Sequence, residues 1–74
     1  MYKVYKSQGK SIVADETRKI YCIVSNEEAD VLVKGIKNIL VFRETLYTSL
    51  DFLNSSGYKK VQFLTTRSKR EAEQ

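Results

Sequence analysis

The side chains with the most chemical potential in this sequence are few, and their spacing does not suit catalysis. Cys22 is the only cysteine, and histidine is absent from all 74 residues. A thiol nucleophile needs a base or a positive neighbour to lower its pKa. Cys22 instead stands inside the apolar run Ile20-Tyr-Cys-Ile-Val24, and reads as a small buried core residue. The missing histidine also removes imidazole acid–base work and most zinc or iron ligation. Gly9-Lys10-Ser11 matches the end of a phosphate-binding loop, but that loop needs another glycine where Val4 stands and a helix after it. A turn between strands accounts for it. Glu27, Glu28 and Asp30 sit where a helix is expected to begin, and negative charge there meets the N-terminal dipole. No catalytic residue, metal site or cofactor is expected, and the chain reads as a non-enzyme.

Tyrosine and lysine make a more suggestive set. Five tyrosines occur, and Tyr2, Tyr5, Tyr21 and Tyr58 fall in or beside expected strands. Open-sheet nucleic-acid binders stack bases on aromatic rings flanked by cations. On that pattern the expected binding residues are Lys3, Tyr5, Lys6, Lys19, Tyr21, Ile23, Lys59 and Lys60. The competing account is structural: tyrosine is a good strand residue and lysine protects sheet edges. The net charge of +4 is uneven, because residues 26–57 are mildly acidic while the strand-forming ends are basic.

The elements that would hold these residues are organised around Ile20–Val24 and the segment directly after it. An unbroken β-branched and aromatic run reads as a strand covered on both faces. Ser25-Asn-Glu-Glu28 then has the spacing of a capping box, so the strand feeds directly into a helix. Before it, Tyr2–Lys6 and Ser11–Ala14 read as strands, separated by a turn at Gly9 and closed by Asp15-Glu-Thr-Arg18. Residues 2–24 form a three-stranded meander on this reading. From Asn26 to Ser55 the apolar phase shifts: Ala29, Leu32, Val33, Ile36 and Leu40 make one stripe, and Phe42, Leu46, Leu50 and Leu53 a second. A break is expected within residues 37–42, and Ile39–Phe42 is short enough to be a strand instead. Gly57 suits the left-handed position that ends a helix, and Lys60–Leu64 reads as a fourth strand.

The fold class expected is therefore α+β. A small, mainly antiparallel sheet, the meander plus a C-terminal strand, is covered on one face by a kinked helix or two helices. Ile20, Cys22 and Val24 should face the helices, leaving Tyr21 and Ile23 on the open face. Residues 1–65 form one domain, and 66–74 a flexible charged tail. The order strand, capped helix, break and second helix over Lys19–Asn54 resembles that of ribbon–helix–helix DNA-binding proteins. That overlap leaves three strands outside it, no Ser or Thr cap is read at the second helix, and Ile23 stands where such a ribbon presents polar groups.

No apolar stretch approaches the ~20 residues needed to cross a bilayer, and the N-terminus lacks the apolar run of a signal peptide. A cytoplasmic protein without membrane association is expected. A chain this short buries only about 60% of its unfolded surface, so a homodimer is expected. The expected function is non-enzymatic binding. It is a nucleic-acid-binding or regulatory protein using the basic, tyrosine-bearing sheet side. The alternative is a protein-interaction module, an inhibitor or adaptor of the phage or mobile-element type, acting as a homodimer on a host or partner protein.

Overall fold

The computed structural model describes residues 1–62 and 64; the expectations for Phe63 and for the 66–74 tail lie outside the described residues. Five strands and two helices follow in the order β1 (Tyr2–Lys6), β2 (Ser11–Asp15), β3 (Ile20–Val24), α1 (Asn26–Leu32), β4 (Ile39–Arg43), α2 (Leu46–Ser55) and β5 (Lys59–Lys60). The α+β class expected from the sequence stands. So does the meander: β1 pairs with β2 and β2 with β3, both antiparallel. The capping box forms, with the Glu28 N–H donating to Ser25 Oγ at 3.1 Å and the Ser25 N–H donating to Glu28 Oε1 at 3.2 Å. Gly9 turns the first hairpin at φ +88°, a conformation that L side chains rarely adopt.

Two departures change the architecture. The sheet is mixed, in the order β4-β1-β2-β3-β5, because residues 39–43 form a strand parallel to β1 and β5 lies parallel to β3. The expected phase break is therefore a change of element, not a helix kink. A threonine cap does open the second helix: Thr45 Oγ1 accepts the Thr48 N–H at 3.1 Å. The fourth strand expected at Lys60–Leu64 is only the two-residue β5.

The second departure is that the helices lie on opposite faces, not on one. Tyr5, Ile12, Ala14 and Tyr21 pack with Leu53, Leu46 and Leu50 of α2. Their strand neighbours Val4, Val13 and Cys22 pack with Ala29 and Leu32 of α1. The cause is topological. The β3–α1–β4 crossover passes β2 and β1 to one edge, and β4–α2–β5 returns across the whole sheet. Parallel crossovers are almost always right-handed, and two that travel in opposite directions share that hand only on opposite faces. Central β2 is consequently buried along its full length. Its polar ends are satisfied: Ser11 Oγ donates to Asn26 Oδ1 at 2.5 Å, and Asp15 accepts from Thr17 and Arg18.

Candidate functional site

The residues expected to bind nucleic acid do not share a face. Lys3 and Lys6 alternate along β1. Lys3 lies on the α2 side, its Nζ 3.7 Å from Glu16, and Lys6 on the α1 side, its Nζ 3.1 Å from Asp30. Tyr5 is buried and stacks on Phe42 with ring centroids 5.1 Å apart. Tyr21 is 3% exposed, and its hydroxyl donates to Asn54 Oδ1 of α2 at 2.9 Å. Ile23 packs half-buried against the same cluster. Tyr21 and Ile23 thus face α2 rather than an open side, and neither Tyr5 nor Tyr21 presents a ring to a base.

Three lysines lie close along the backbone of one sheet edge, with Lys59 and Lys60 on alternate faces. The Lys59 N–H donates to the Lys19 carbonyl at 2.9 Å, and Lys59 and Lys60 pair with Ile20 and Tyr21. Lys19 Nζ stands 5.3 Å from the centroid of the Tyr58 ring, itself buried. Two exposed lysines on a two-residue edge strand are the usual protection of a sheet edge against further pairing.

Among the described residues nothing comparable protects the opposite edge. β4 is five residues long, Ile-Leu-Val-Phe-Arg, without lysine or proline, and Leu40 and Val41 are 44% and 48% exposed. Its backbone polarity follows from the pairing with β1. The Tyr2 N–H donates to the Asn38 carbonyl at 3.3 Å, and the Glu44 N–H to the Lys6 carbonyl at 3.2 Å. In a parallel ladder alternate residues of a strand turn toward one neighbour, so Asn38, Leu40, Phe42 and Glu44 serve β1. Ile39, Val41 and Arg43 direct their N–H and C=O groups to the open side. Beside the edge, Lys3, Tyr5, Phe42 and Glu44 with Thr48 and the half-exposed Phe52 of α2 line a cleft of about 240 Å³.

Ile39–Phe42 is short enough in the sequence to be a strand, but Leu40 and Phe42 also fit helical stripes, which hides the edge. The available signal was Thr45, a cap that restricts the second helix to residues after it.

The remaining reactive group is inert here. Cys22 is buried between β2 and α1; burial pushes its thiol above the ordinary 9.0, and Glu28 adds to the rise. Burial likewise raises Tyr5 above 10.0, helped by Tyr58, Glu44 and Glu16. The unfolded thiol ionises near 9.0 while the buried one keeps its proton, so above that pH the unfolded state binds fewer protons and stability falls. The melting temperature is expected to be unaffected by these groups below about pH 9 and to decline from there, with Tyr5 contributing above 10. Cys22→Ala should flatten the first part of that decline in a melting series from pH 7.5 to 10.5. An unchanged slope would show that Cys22 contributes nothing to it.

Among the described residues no three His, Cys, Asp or Glu side chains are grouped as a metal would need, and no helix is long and apolar enough to cross a membrane. The described residues form a small α+β domain with one lysine-protected sheet edge and one edge, β4, that no other described strand covers. Comparison with protein-family models, curated proteins and solved structures returns no match to the chain.

Proposed function

We propose that this chain is a small non-enzymatic protein-interaction module that binds its partner by strand addition at β4. The observation that carries this reading is the open edge itself. Among the described residues, Ile39, Val41 and Arg43 offer unpaired backbone groups at alternate positions, and the Leu40 and Val41 side chains are exposed along the same strand, while the other edge carries two lysines. Strand addition draws affinity from main-chain hydrogen bonds and specificity from alternate side chains. An edge of this length and apolarity left uncovered is an aggregation hazard that proteins otherwise suppress. The nucleic-acid alternative keeps the Lys19, Lys59 and Lys60 cluster but loses the stacking platform it needed, since α2 covers Tyr5 and Tyr21.

Val41→Pro tests the reading with little damage to the fold. The Val41 N–H points away from β1, so proline removes no ladder bond within the chain. With nuclease-treated native host lysate, a tagged wild-type chain is expected to retain a protein that the Val41→Pro chain loses. Purified protein should bind neither single-stranded nor duplex oligonucleotides at low salt. Capture that is identical for both baits, or that disappears on nuclease treatment, overturns the proposal and returns the lysine cluster to first place.

A further inference from the structure

Resting on that reading, we infer that the strand added to β4 is β4 of a second copy of this chain, antiparallel and centred on Val41. The edge is self-complementary in one register. A two-fold axis at Val41 places Ile39 opposite Arg43, Leu40 opposite Phe42 and Val41 opposite Val41 of the second protomer. Ile39, Val41 and Arg43 are the residues whose backbone groups face outward, so all three opposed pairs exchange both N–H···O bonds. The two sheets of five strands become one continuous sheet.

The side chains agree with that register on both faces. On the α2 side, Leu40 of each protomer meets Phe42 of the other and enters the flank lined by Phe52, which is 50% exposed in the single chain. On the α1 side, Val41 meets its own copy. One contact therefore covers the exposed Leu40, Val41 and Phe52 together, and apolar cross-strand pairs are the unit of sheet stabilisation. Charge fits as well. The two Arg43 side chains lie four residues apart along the pairing, about 14 Å, so they do not repel at contact. Glu44 falls opposite Asn38 of the second protomer, so no like charges meet there. An unrelated strand would need this pattern by coincidence, whereas a second copy brings it by symmetry.

Light scattering on the purified full chain should show a mass approaching twice the 8.6 kDa of one chain as concentration rises into the micromolar range. In a Cys22→Ala background, Val41→Cys should form an intermolecular disulfide under mild oxidation by oxidised glutathione. Opposed residues in a hydrogen-bonded pair have Cα atoms about 5.5 Å apart, inside the disulfide range. Leu40→Cys should not, since the two copies of residue 40 are diagonal neighbours at about 7–8 Å. Val41→Lys sets two ammonium groups directly opposite each other and should weaken association about tenfold or more. Mixing Val41→Lys with Val41→Glu should restore it. A monomer at every concentration with no Val41→Cys cross-link overturns the second copy as partner. Strand addition to another protein would then still stand or fall on the Val41-dependent lysate capture. A dimer indifferent to Val41→Lys and Val41→Glu overturns the β4 register and moves the interface elsewhere.

Discussion

Leu53→Ala is expected to cost about 2–5 kcal/mol of folding free energy, as large-to-small changes at fully buried sites do. Leu53 is completely buried and is the residue through which α2 reaches the cluster of Tyr5, Ile12, Ala14 and Tyr21. Its carbonyl also accepts the Tyr58 N–H at 3.0 Å, at the turn that leads into β5. The return crossover is therefore fastened at this point by packing and by backbone together. A chain of 74 residues has roughly 4–11 kcal/mol of stability in all, so the loss is a large fraction of it. Urea unfolding followed by far-ultraviolet circular dichroism measures it. Phe52→Ala, one residue earlier and half exposed, serves as the comparison and should cost less than about 1 kcal/mol in dilute monomer. Equal losses at the two positions would mean that α2 is rotated from the face assigned to it.

What the sequence revealed was local, and what it concealed was pairing. Ser25 and Glu28 name the start of α1 because both halves of a capping box lie within four residues. The apolar run of β3 and the glycine after α2 are legible for the same reason: one short segment carries the whole signal. β4 is different. In Ile39-Leu-Val-Phe42 the spacing of Phe42, Leu46, Leu50 and Leu53 fits a helix, although Phe42 reaches that cluster from the neighbouring strand. Two elements that pack on one core patch can imitate a single stripe. Once β4 is read as a strand, two crossovers exist, and their shared hand sends the helices to opposite faces. That step alone reverses the exposure expected of Tyr21 and Ile23. Leu50 packs against the α2-side core as its stripe implies, and Ile36 is half-buried. Of the candidate site, the lysines of β5 were readable as edge protection. The open edge was not, since the exposure of Leu40 and Val41 depends on β1 occupying one side of β4 and, among the described residues, nothing the other.

The second large effect is expected at Asp15, where a buried charge organises the turn between β2 and β3. Asp15 Oδ1 accepts the Thr17 N–H at 3.0 Å and the Arg18 N–H at 3.3 Å, and Oδ2 accepts Arg18 Nε at 2.6 Å. Asp15 is 5% exposed, and the hydrogen bond from Arg18 to its carboxylate is the main reason the Arg18 guanidinium is pushed up from its ordinary value. The same turn needs Lys19 in the left-handed region, φ +60°, with its N–H donating to the Asp15 carbonyl at 2.8 Å. That conformation is unfavourable for a residue with a side chain, so something must hold it. Three hydrogen bonds converging on one carboxylate do so. Asp15→Ala should cost about 1.5–3 kcal/mol, the range for hydrogen bonds to a charged group. The Arg18 side chain is partly exposed and regains water, which keeps the loss near one such bond rather than three. Asp15→Asn retains an acceptor for the turn amides and should cost less, while Glu16→Ala, which removes a 3.7 Å ion pair between the exposed Glu16 and the partly exposed Lys3, should stay within about 1 kcal/mol. The discriminating result is the order of the three in urea midpoints. If Asp15→Ala falls level with Glu16→Ala, the backbone of the turn holds Lys19 unaided, and the carboxylate is not what sets the register of β3 against β2.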